Sequence, residues 1–142
     1  MATKADFSEE EFETMQRGVS GTGMLVSLAD RDFTDSFGEV KALARYLASQ
    51  RDQSQSALVR DIASLHGSKF GFGTSPTELE EGALGSIRSA VATLAEKAPD
   101  ESAAYRELVL GVAEHVAEAK GGGKSPAEES AIAKITDALG SA

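Results

Sequence analysis

Apolar residues recur along this chain at steps of three and four, which is the period of one face of an α-helix. No segment shows a sustained alternation of apolar and polar residues, so the pattern gives no reason to expect a β-sheet. We therefore predict an all-α fold, a single domain over residues 1–142 with about six to seven helices. The six that the spacing defines cover 8–29, 36–49, 55–66, 76–97, 101–119 and 126–139.

Four of these helix starts carry Ser-x-x-Glu, in which the serine hydroxyl and the glutamate carboxylate each cap a backbone N–H group. At the starts after Ser75 and Ser125 a proline follows at once, in the first helical position, where its missing N–H costs nothing. The four pairs are Ser8 with Glu11, Ser36 with Glu39, Ser75 with Glu78, and Ser125 with Glu128.

Three glycines, Gly18, Gly21 and Gly23, interrupt the first predicted helix. Each weakens a helix by about 1 kcal/mol relative to alanine. A helix that carries three of them needs a compensating reason, and the pattern leaves two open. The glycines mark either a kink or a close crossing by another helix.

Two segments of the chain share a short pattern that suggests an internal duplication. Segments 26–39 and 116–129 each combine a helix end, a polar connection and a new helix start. The glycine-rich stretch 67–75 is the longest predicted loop and lies between them. Two similar helical halves, 8–67 and 75–140, are therefore a possible architecture within the single domain.

The charge pattern excludes several classes of partner. The net charge is −9, from 14 basic and 23 acidic side chains, and the basic ones are scattered singly. Such a chain repels nucleic acid and anionic membrane surfaces and suits a cation or a basic partner. No apolar run approaches the roughly 18 residues that span a bilayer, and no secretory leader is visible, so we expect no membrane insertion and a cytoplasmic location.

Catalytic motifs are missing from the sequence, and we predict that the protein is not an enzyme. Residues 121–125 end in Gly-Lys-Ser, but a phosphate-binding loop needs a glycine where Glu118 stands. With no cysteine and only His66 and His115, a pairing of nucleophile and base has no evident candidate. Each histidine is more simply explained as an exposed or hydrogen-bonded side chain than as a metal ligand.

One acidic cluster is a candidate cation site. Asp30, Asp32, Asp35 and Glu39 fall within ten residues at a predicted helix–turn–helix corner. The spacing is not that of an EF-hand, because Lys41 occupies the position of its bidentate glutamate. Their hard oxygen ligands suit Mg²⁺ or Ca²⁺. The alternative is that the carboxylates bind no ion and only stabilise the next helix, through their attraction to the positive end of its dipole.

The helix patterns resemble those of the TerB-like tellurite-resistance family over most of the chain. In the second half the resemblance rests on the helix over 108–119, then Glu128 and Glu129 leading the apolar residues of 132–139. In the first half it rests on 25–30 followed by Glu39. The resemblance implies an all-helical domain of two similar halves, found in stress-response proteins, whose acidic residues bind a divalent cation.

Carried over residue by residue, the resemblance implies ligands at Asp30 and Glu39 in the first half. In the second half either Glu128 or Glu129 matches the family position, and we take Glu129 as the candidate ligand. Lys120 stands where the family has an aspartate, so the first-half cluster is the better candidate. The function expected is a non-enzymatic binding or adaptor domain of a stress response. The alternative is a metal-free structural or interaction module, either a monomer or a homodimer, with an unidentified protein partner.

Overall fold

Six α-helices make up nearly all of the part of the chain that the structure, a computed structural model, describes. That part comprises residues 3–29, 36–64, 76–118 and 126–140, with side chains except at 27–29, 36–43 and 76. It contains no strand, so the all-α fold class is confirmed. The helices are α1 Glu9–Ala29, α2 Ser36–Gln53, α3 Ala57–Ala63, α4 Pro76–Lys97, α5 Ser102–Glu118 and α6 Pro126–Leu139.

The predicted helix starts are confirmed where proline or a described cap defines them. At α1 the Glu11 N–H donates to Ser8 Oγ at 3.1 Å, and the Ser8 N–H donates to Glu11 Oε1 at 2.9 Å. This is the reciprocal capping box that the sequence predicted. Helices α4 and α6 begin at Pro76 and Pro126, as expected.

Helix α3 is shorter than the predicted range 55–66, because its ends are set by serines. Ser56 precedes its first residue and accepts the Val59 N–H at 3.1 Å, which caps the start. At the other end the Ser64 N–H bonds to the Asp61 carbonyl at 3.2 Å, a tighter turn that closes the helix. Helix α2, in contrast, continues past the predicted residue 49 to Gln53.

Helix α1 is the central helix of the domain. It packs against α4, α5 and α6, and every residue of 18–23 is buried. The sequence predicted burial of one stripe only, which underestimates how far this helix is enclosed. Two buried hydroxyls are satisfied within the helix: Ser20 Oγ donates to the Gln16 carbonyl at 2.9 Å, and Thr22 Oγ1 donates to the Gly18 carbonyl at 2.7 Å.

Gly18 lies where another helix crosses α1 closely. Of the two explanations for this glycine, a kink or a close crossing, the structure supports the crossing. The fully buried Tyr105 of α5 donates its hydroxyl to the Met15 carbonyl at 2.8 Å. A Cβ at Gly18 would overlap that hydroxyl oxygen. Burial raises the pKa of Tyr105, so the hydroxyl remains a neutral donor.

One hydrophobic core joins the described helices. Both predicted halves, 8–67 and 75–140, contribute to it, while the similarity of the halves stays a prediction. No helix within the described ranges is both long and apolar enough to cross a membrane. The largest fully buried apolar or aromatic side chains are Tyr105, Met15, Leu58, Ile62, Ile87, Leu94, Leu108 and Ile135.

An ion pair joins the start of α1 to the end of α4. Lys97 Nζ lies 2.7 Å from Glu11 Oε1. The hydrogen bond from Lys97, with that from the Ser8 N–H, lowers the pKa of the Glu11 carboxyl. The ionised carboxylate of Glu11 therefore both caps the start of α1 and binds the end of α4 to it.

We expect Glu11→Gln to lower the melting temperature at pH 7 and to change it much less at pH 3. The folded-state pKa of Glu11 lies below its ordinary value of 4.5. The stabilisation by the carboxylate is therefore complete above that value and is lost as the pH falls through the folded pKa. Thermal melts at both pH values test this. Glu13→Gln, on the exposed side of α1, is the matched control, and an equal effect of Glu11→Gln at both pH values would contradict the assignment.

Candidate functional site

The predicted acidic cluster falls between two described helix ends. Helix α1 ends at Ala29 and α2 begins at Ser36, so Asp30, Asp32 and Asp35 belong to the interval 30–35, which lies outside the described residues. Glu39 is the fourth residue of α2; its backbone is helical, and its side chain is outside the described set. The helix end and the helix start that were predicted to flank the cluster are thus confirmed, and the arrangement of the ligands stays a prediction.

Glu129, the proposed ligand from the second half, lies in the first turn of α6 with its side chain exposed. Its neighbour Glu128 is instead only 1 % exposed. The spacing of α6 explains the difference, because Glu128 shares the buried face with Ala131, Ile135 and Ala138 at helical steps. The Ser-x-x-Glu pattern predicted a capping role for Glu128, although this periodicity could have indicated its burial.

No group of three or more histidine, aspartate or glutamate side chains within the described ranges is arranged to hold a metal ion. Four of the five predicted ligands have no described side chain, so this finding does not bear on them. Lys120, the residue that departs from the family pattern, also lies outside the described residues.

His115, on α5, is exposed and held in place by two contacts. Its Nδ1 lies 2.8 Å from the Gly111 carbonyl oxygen, and because a carbonyl only accepts, Nδ1 carries the proton in this contact. Its ring lies 4.3 Å from the ring of Tyr46 on α2, centroid to centroid, at an interplanar angle of 32°. The hydrogen-bonded, exposed state that sequence analysis favoured for His115 is confirmed; His66 lies outside the described residues.

Tyr46 closes the contact between α2 and α5 by lying on Gly111. A Cβ at Gly111 would overlap the ring and the hydroxyl of Tyr46. Burial, and to a lesser extent the negative charge of Glu107, raises the pKa of Tyr46. The pair was not predicted from the sequence, although a glycine within the apolar run 108–113 was the available signal.

Like Glu128, Glu101 is a buried carboxylate whose burial was not predicted from the sequence; it is 6 % exposed. It ends the short 3₁₀ turn Pro99–Glu101 before α5, and its Oε2 accepts a hydrogen bond from Ser56 Oγ at 2.7 Å. Ser56 at the same time caps α3. The carboxylate therefore ties the start of α3 to the start of α5, a structural role for a residue that the sequence marked only as a helix start.

Comparisons with known proteins leave the family open. No family model, no curated protein and no solved structure matches the chain. The likeness to the TerB-like family therefore stays a prediction from the helix pattern and the acidic positions of the sequence.

Proposed function

We propose that this protein is a non-enzymatic binding module of a cytoplasmic stress response, resembling the TerB-like family, that holds a divalent cation at the corner between α1 and α2. The ligands are the carboxylates of Asp30, Asp32, Asp35 and Glu39. The observation that supports this is the position of the two helix ends. Three aspartates occur in the short interval between Ala29 and Ser36, and the glutamate follows within α2.

The chemistry of the ligands favours Mg²⁺ or Ca²⁺. Both ions take oxygen ligands, and carboxylates are their usual protein donors. These four carboxylates are part of the chain's net charge of −9, and such closely placed negative charges repel one another unless a cation neutralises them. A bound ion would relieve this repulsion and hold the two helix ends together.

The site would also be coupled to the stability of the core. Just before the corner, Leu25 and Val26 are buried in the central helix α1, with exposures of 8 % and 0 %. An ion that fixes the end of α1 against the start of α2 binds the folded chain in preference to the unfolded one. Such a ligand raises stability by about 2.7 kcal/mol at a hundredfold excess over its Kd.

Glu129 is the proposed additional ligand from the second half. Its exposed carboxylate can bind an ion only if the start of α6 approaches the corner between α1 and α2. The single variant Glu129→Gln tests this independently. A drop in affinity would place Glu129 in the cation site, and an unchanged affinity would limit the site to the first half.

The decisive experiment is calorimetric titration of chelator-treated protein with Mg²⁺, Ca²⁺, Mn²⁺ and Zn²⁺, with thermal melts in parallel. We expect saturable binding and a raised melting temperature for Mg²⁺ or Ca²⁺, both abolished in Asp30→Asn/Glu39→Gln. The matched control, Glu13→Gln/Glu81→Gln, removes the same two charges from exposed positions on α1 and α4 and should bind normally.

The remaining outcomes would contradict the proposal in different ways. An equal loss of binding in both double variants would mean that the ion only screens the acidic surface. Flat titrations with all four ions would remove the cation site altogether. The metal-free interaction or dimerisation module would then be the better hypothesis, and the lysine at position 120 already favours it.

A further inference from the structure

We draw no further inference here: the strongest candidate, the surface patch formed by the half-buried Tyr46 of α2 and the exposed His115 of α5, carries nothing because nothing in the structure shows what covers it.

Discussion

Replacing Gly18 by alanine is expected to destabilise the protein by about 1–3 kcal/mol, the usual cost of forcing an extra carbon into a packed core. The added methyl group would overlap the hydroxyl oxygen of Tyr105. That hydroxyl cannot easily give way, because it is fully buried and bonded to the Met15 carbonyl at 2.8 Å. On the same side the Cγ1 of Ile87 would lie 3.4 Å from the new carbon.

A compensating substitution makes this explanation testable. Tyr105→Phe removes only the hydroxyl group that the new methyl group would meet. Alone it should cost about 1 kcal/mol, because a buried hydrogen bond is lost. In the double variant Gly18→Ala/Tyr105→Phe the overlap disappears, so its total cost should fall below the sum of the two single costs by about 0.5–3 kcal/mol.

Chemical denaturation of the wild type, both single variants and the double variant measures this coupling. Gly85→Ala is the matched control, since a Cβ at Gly85 meets nothing within 4 Å. It should raise stability by up to about 1 kcal/mol, because alanine favours a helix over glycine. Additive costs in the double variant would show that the crossing at Tyr105 is not the reason for the glycine.

The second large effect is expected for Gly111→Ala, and a different kind of second substitution should relieve it. A methyl group there would overlap the hydroxyl oxygen of Tyr46 and two carbons of its ring. Because the half-buried ring can turn out to solvent, the cost is the loss of its packing against α5 and His115, about 1–2 kcal/mol. Tyr46→Phe should leave that cost unchanged, whereas in a Tyr46→Ala background Gly111→Ala should raise stability by up to about 1 kcal/mol, as expected for Gly85→Ala.

Titration of tyrosine absorbance shows whether the Tyr46 ring turns out to solvent in Gly111→Ala. The chain has two tyrosines and no tryptophan, so in a Tyr105→Phe background Tyr46 gives the only tyrosine signal. Its pKa is raised by burial and by Glu107. In Gly111→Ala it should return towards the ordinary value of 10.0. An unmoved titration together with full destabilisation would mean that the backbone of α5 shifts instead of the ring.

The bounds of the helices could be predicted well where the sequence carries residues that start or stop a helix. Helices α4 and α6 each begin at a proline and are followed within two residues by Pro99 and Gly140 respectively, and both agree with the predicted bounds. Helix α3 does not, because its length depends on hydrogen bonds made by Ser56 and Ser64. Those bonds depend on local geometry that apolar periodicity does not encode.

The candidate site could be predicted less fully than the fold, for a physical reason. A run of carboxylates shows where negative charge is concentrated, but ion binding depends on how many oxygens converge on one point. The buried Glu101 illustrates the same limit: its partner Ser56 lies 45 positions away in the chain. Pairings across such separations follow from packing, which the sequence pattern near either residue does not reveal.

The central position of α1 has a consequence for how the chain folds during its synthesis. The Tyr105 hydroxyl that closes over Met15 comes from a residue 90 positions later. At the usual rates of translation these two residues leave the ribosome roughly 5–20 s apart. During that interval the most enclosed helix of the finished protein has none of its partners from α5 and α6. The nascent chain can therefore pack α1 against α4 first, and it leaves the surface of α1 that faces α5 and α6 uncovered until those two helices have been made.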